Sequence, residues 1–147
     1  MTIKGGCLCG AVRFEIDAVQ PPFEMCHCSR CRKVSGAQGI PAITVKGANY
    51  RMTQGANNIK YFEAPILYQP PVYTATFCGT CGSPVTPPNP DADYIEVAAG
   101  LLDDDPGLMP DKHIFIEHLP DWDQVTDGLP TFTRDEIRAH RGQSEES

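Results

Sequence analysis

The chain has 147 residues, 41% of them hydrophobic, and a formal charge of −7. That length supports one domain with a real core and gives no sign of a second, and the excess of acid argues against a general nucleic-acid binder, which carries a basic face. No apolar run of about 18 residues occurs and no signal-like stretch precedes Cys7, so a soluble cytoplasmic protein with no membrane contact is expected.

From the N-terminus, the first strand signal sets Val12, Phe14 and Ile16 on one side and Arg13 and Glu15 on the other. Similar alternation predicts short strands over 40–45, 59–62, 72–77, 94–99 and 113–117, separated by Gly, Pro, Asn and Asp clusters. Pro84, Pro87, Pro88 and Pro90 stiffen one connection, and Asp103-Asp104-Asp105-Pro106-Gly107 marks an exposed turn. The helix signal comes late: Thr133 and Glu136 form a capping-box pattern ahead of residues 137–140, and Gly142 supplies a stop. A single, mainly β domain over residues 1–142 is predicted, with a short C-terminal helix and a frayed tail at 143–147.

The seven cysteines fall in three tight groups: Cys7 and Cys9; Cys26, Cys28 and Cys31; and Cys78 and Cys81. An odd number cannot all pair within one chain, and Cys-x-Cys neighbours close only a strained ring, so disulfides are a poor account of them. In a reducing compartment such clusters serve more often as metal ligands or redox centres. Residues two apart on a strand face the same way, so Cys7 with Cys9, and Cys26 with Cys28, can present both sulfurs to one ion. The Cys28-x-x-Cys31 and Cys78-x-x-Cys81 spacings suit turns that wrap a metal, with Gly79 and Gly82 easing the second.

An all-thiolate set favours zinc, although iron–sulfur ligation uses the same residues. The best partition joins Cys7, Cys9, Cys78 and Cys81 into a closed structural site and leaves Cys26, Cys28 and Cys31 as a three-ligand site with an open position, the catalytic pattern. Two zinc ions per chain are expected. A competing partition pairs the two Cys-x-x-Cys turns as a zinc ribbon. His27 points away from a metal that Cys26 and Cys28 face, which makes it a neighbour of the site and not its fourth ligand. His113 and His118 read as core or surface residues. Arg30, Arg32 and Lys33 form a basic cluster beside the open site, and read either as a solvated turn or as the contact for an anionic substrate.

The motifs Gly6-Cys7-Leu8-Cys9-Gly10-Ala11-Val12, then Cys26-His27-Cys28-Ser29-Arg30-Cys31-Arg32-Lys33, then Phe77-Cys78-Gly79-Thr80-Cys81-Gly82 resemble the glutathione-dependent formaldehyde-activating (GFA) family, also called the CENP-V/GFA domain. Ser35-Gly36, Pro110-Asp111-Lys112-His113-Ile114, Trp122 and Asp127-Gly128-Leu129-Pro130 continue the match. The resemblance implies antiparallel sheets of β-tent type around structural zinc. It also implies a carbon–sulfur lyase activity, with glutathione and formaldehyde giving S-hydroxymethylglutathione. On this reading the zinc held by Cys26, Cys28 and Cys31 is catalytic and acts on a thiol with an aldehyde, or on their hemithioacetal. The rival expectation from another class is a zinc-stabilised protein-binding module without catalysis. A thiol redox sensor would need Cys28 or Cys31 free of metal.

Overall fold

The computed structural model describes residues 1–65 and 72–142. In chain order the elements are β1 (Ile3–Gly6), β2 (Arg13–Ile16), β3 (Gln20–Cys26), α1 (Ser29–Ser35), β4 (Ile40–Val45), β5 (Tyr50–Gln54), β6 (Ile59–Glu63), β7 (Thr74–Cys78), β8 (Ile95–Ala98), β9 (Lys112–Ile114), β10 (Thr131–Phe132) and α2 (Arg134–His140). They form a three-stranded sheet in the order β1-β2-β5, a five-stranded sheet in the order β10-β9-β3-β4-β8, and a β6-β7 pair. Pairing is antiparallel except where β9 lies parallel to both β3 and β10.

Side-chain alternation explains how the sheets meet. On β2, Phe14 and Ile16 are sealed while Arg13 and Glu15 keep partial contact with solvent. Phe14, Ile16 and Tyr50 from the first sheet pack on Phe23, Ile43, Val45 and Val97 from the second. A smaller core gathers Val12, Ile59 and Val85 around the buried Cys7 and Cys78. The first cysteine pair and β7 thus belong to one packed unit before any ion is considered.

The predicted strand over 40–45 coincides with β4, and the others lie within about two residues of their expected bounds except the one over 113–117. Strand β9 is shorter than the pattern because Phe115 takes a left-handed backbone, φ 59°, and turns the chain out of the sheet. The expected turn at Cys28-x-x-Cys31 is the opening of a helix: Cys28 caps α1, its Sγ accepting the Cys31 N–H at 3.3 Å, and the helix runs on to Ser35. At the other end of the chain, the Thr133 hydroxyl accepts the Glu136 N–H while the Glu136 carboxylate accepts the Thr133 N–H, so the capping box is complete. Residues 143–147, expected to fray, lie outside the described residues.

Candidate active site

Cys7, Cys9, Cys78 and Cys81 converge, with their sulfurs within 4.8 Å of one another. Cys7 and Cys9 meet in a turn and not along an extended strand: β1 stops at Gly6, and the Gly10 N–H reaches back to the Cys7 carbonyl. Cys78 ends β7, and the chain doubles back through Cys81 to Gly82, whose φ of 82° suits glycine and whose N–H bonds the Cys78 carbonyl at 2.8 Å. The donor set fits zinc. A tetrahedral ion with Zn–S near 2.3 Å sets its sulfurs about 3.8 Å apart. Here Cys7 to Cys9 is 3.6 Å and Cys9 to Cys78 is 3.9 Å, far too long for disulfides, and all seven cysteines are free. Backbone N–H groups already point at sulfur, from Val12 to Cys7 at 3.2 Å and from Thr80 to Cys78 at 3.4 Å, as thiolate ligands require.

Cys26, Cys28 and Cys31 form the second group, at the junction where β3 gives way to α1. Cys28 and Cys31 therefore lie in a different group from Cys78 and Cys81. Cys26 and Cys31 sulfurs are 3.3 Å apart. Charge in this trio is unevenly shared. Hydrogen bonds from Cys26 and Cys31, with backbone N–H groups, hold the Cys28 thiol down to about 2. Its bond to Cys28 keeps Cys26 protonated, well above the usual thiol range. Cys31 gains from its bond to Cys26, but the bond to Cys28 and burial push it up to about 12. A divalent cation at this trio would take the place of the shared thiol protons.

The two groups differ in what surrounds them. Cys26 and Cys31 open on a cavity of about 290 Å³, walled by Val34, Ile40, Ile114 and Phe115 on its apolar side and by Tyr73, Glu96 and Arg141 among its polar groups. None of the first four cysteines lines it. Burial and the nearby cysteine charges raise Tyr73 to about 12, so its phenol stays protonated at neutral pH.

The basic cluster sits elsewhere. Arg30 is buried, its guanidinium 5.5 Å from the Tyr73 ring centre and bonded to the Pro65 carbonyl at 3.1 Å. Arg32 and Lys33 occupy the last turn of α1, and none of the three cations lines the cavity.

His27, the residue between Cys26 and Cys28, is buried. Its Nδ1 is 2.9 Å from the Gln38 carbonyl and its Nε2 is 2.7 Å from His113 Nδ1, while His113 Nε2 is 2.8 Å from the Asp127 carboxylate. A carbonyl only accepts, so His27 donates through Nδ1, and its Nε2 shares one proton with His113 Nδ1. Gly39 is forced to be small by this packing, since a Cβ there would meet the Cys26 carbonyl oxygen at 2.4 Å. Sequence reasoning placed His27 beside the metal loop but did not find its partners. Nor did it find Glu24, Glu96, Arg141 or Tyr73 at the cavity, because no spacing rule marks them.

A mainly β chain with two convergent cysteine groups, each able to hold a metal ion and one of them on a cavity, has the build of a thiolate metalloprotein. The family model described as glutathione-dependent formaldehyde-activating enzyme matches residues 2–118, and the chain belongs to this GFA family. A protein of Halomonas elongata that carries the provisional name glutathione-dependent formaldehyde-activating enzyme is 31% identical over 151 aligned residues, covering 100% of this chain and 92% of that protein. A crystal structure of a Rhodobacter sphaeroides protein aligns with a TM-score of 0.52 and 24% identity, over 88% of this chain and 99% of that one, a likeness of fold. Among the described residues no helix is long and apolar enough to cross a membrane.

Proposed function

We propose that this chain is a zinc-dependent enzyme that joins a thiol to an aldehyde, or splits the resulting hemithioacetal, and so acts as a carbon–sulfur lyase. Glutathione with formaldehyde, giving S-hydroxymethylglutathione, is the substrate pair that family membership favours. The observation that carries the reading is the contrast between the two cysteine groups: four sulfurs that meet one another, Cys7 and Cys78 packed in a core, against three, of which Cys26 and Cys31 open on a cavity. Closed four-ligand sites are structural, and three protein ligands with an exchangeable position are the catalytic pattern.

Cys7, Cys9, Cys78 and Cys81 would hold one zinc ion, and Cys26, Cys28 and Cys31 the other. A zinc ion at the trio supplies positive charge that favours the thiolate form of a substrate thiol and offsets charge growing on an aldehyde oxygen. The chain's own groups do the rest. Val34, Ile40, Ile114 and Phe115 limit water around the reacting atoms. The thiol proton must leave and the aldehyde oxygen must gain one, and the protonated Tyr73 phenol is a hydrogen-bond donor at the cavity wall for that oxygen.

Cobalt replacement tests this directly, since its visible bands respond to a change of ligand. Glutathione should shift those bands in the parent protein and not in Cys31→Ala, and formaldehyde consumption in the presence of glutathione should fall in the same variant while circular dichroism is retained. A spectrum indifferent to thiols over a wide concentration range would favour the protein-binding module.

A further inference from the structure

Glu96 carries a carboxylate that has no hydrogen-bond or ion-pair partner among the described residues, although it lines the same cavity as the Cys26 and Cys31 sulfurs. It is an exposed residue that faces both this cavity and a neighbouring groove with Gln20, Thr44 and Asp93, and partial burial of its carboxyl, with the charge of Glu24 next, raises its pKa above the ordinary carboxylate range while Arg141 draws it down. The chain's nearby cations are already engaged. Glu24, only 4% exposed, takes Arg141 Nη2 at 2.5 Å and has Lys112 Nζ at 3.6 Å. Arg141 is held by Glu24 from behind, but a third of its side chain remains exposed and it lines the cavity beside Glu96. The cavity therefore presents one carboxylate with no direct hydrogen-bond partner and one guanidinium, lining it together with the Cys26 and Cys31 sulfurs.

We infer that this cavity reads the head of an amino-acid thiol, with Glu96 receiving its ammonium group and Arg141 its carboxylate. The inference rests on the reading of the three-cysteine site as the place where a thiol binds. It assigns charge selection to these two residues and not to Arg30, Arg32 or Lys33. An arriving ammonium offsets the repulsion between Glu96 and Glu24, which makes a purely anionic thiol a poor ligand for the same wall. The part of the Arg141 guanidinium that Glu24 leaves exposed keeps N–H donors for a second carboxylate.

The test is equilibrium binding of four thiols to the cobalt-substituted chain, read from its visible bands: glutathione, cysteamine with an ammonium only, 3-mercaptopropionate with a carboxylate only, and 2-mercaptoethanol with neither. Glu96→Gln should weaken glutathione and cysteamine by about tenfold or more, the loss expected for one charged hydrogen bond, and leave 2-mercaptoethanol unchanged. Arg141→Lys, which keeps a cation over Glu24 but loses the fork, should weaken glutathione and 3-mercaptopropionate and spare cysteamine. Thiols that bind without regard to charge, or a Glu96→Gln variant that treats all four alike, would overturn the inference while leaving the proposed function standing. Failure of every thiol to bind would remove both.

Discussion

Asp127 shows how much one surface residue can be asked to hold. Its bond to His113, followed by the Leu129 N–H, keeps its carboxyl below the ordinary aspartate range, and through His113 it steadies the imidazole under the cysteine loop. A carboxyl whose folded pKa is depressed contributes stability that is complete above its unfolded value and is lost as pH falls through the lower folded one. The parent protein should therefore exceed Asp127→Asn in stability by a constant margin from pH 6 down to about 4, and the margin should shrink below that. Chemical denaturation at several pH values measures it. A margin that stays constant into strong acid would show that the bond contributes nothing through ionisation.

The elements that carry cysteines differ in what they need from them. Cys78 closes β7 into the small core with Val12, Ile59 and Val85, so the four-sulfur group ties the β1–β2 turn to a strand some seventy residues on. Binding at a closed zinc site contributes on the order of 10 kcal/mol, as large as the whole stability of an ordinary domain. Cys28→Ser is gentler, because serine is itself a good helix cap and α1 keeps its start while the trio loses a thiolate. Cys78→Ser should lower the melting temperature and soluble yield far more than Cys28→Ser, and equal small effects would contradict this division of labour.

The same elements explain which parts could be read from sequence. Strand β4 was legible because Ile40, Ile43 and Val45 sit in a clear run between turns. Strand β3 hides behind Pro21-Pro22, where its ladder to β4 is irregular, and β5 hides behind the polar run Arg51-Met52-Thr53-Gln54. Helix α1 has no apolar stripe; it exists because Cys28 caps it and Gly36 ends it. The two cysteine groups were legible because ligand spacing is a local signal. Glu24, Glu96 and Arg141 come together only through β3, β8 and the end of α2, so tertiary folding alone reveals them.

At the scale of the molecule, one cysteine group packs through Cys7 and Cys78 into a core and the other opens through Cys26 and Cys31 on a cavity, and Val85 touches both, packed in the small core and lining the cavity. Metal analysis should find two equivalents per chain. A competing chelator added in steps should withdraw the equivalent held by Cys26, Cys28 and Cys31 first, with far-ultraviolet circular dichroism unchanged, and the second only as the fold melts. Simultaneous release of both would show that the sites are not separate.

That order has a consequence for the protein's lifetime in a cell whose metal supply varies. Scarcity would silence the chain before it condemned it: a dormant population, still folded and still resistant to proteolysis, would persist through the shortage. Activity could then return by re-metallation alone, faster than new synthesis allows. Four sulfurs that complete one site, and three beside a cavity at the other, thus separate being switched off from being lost.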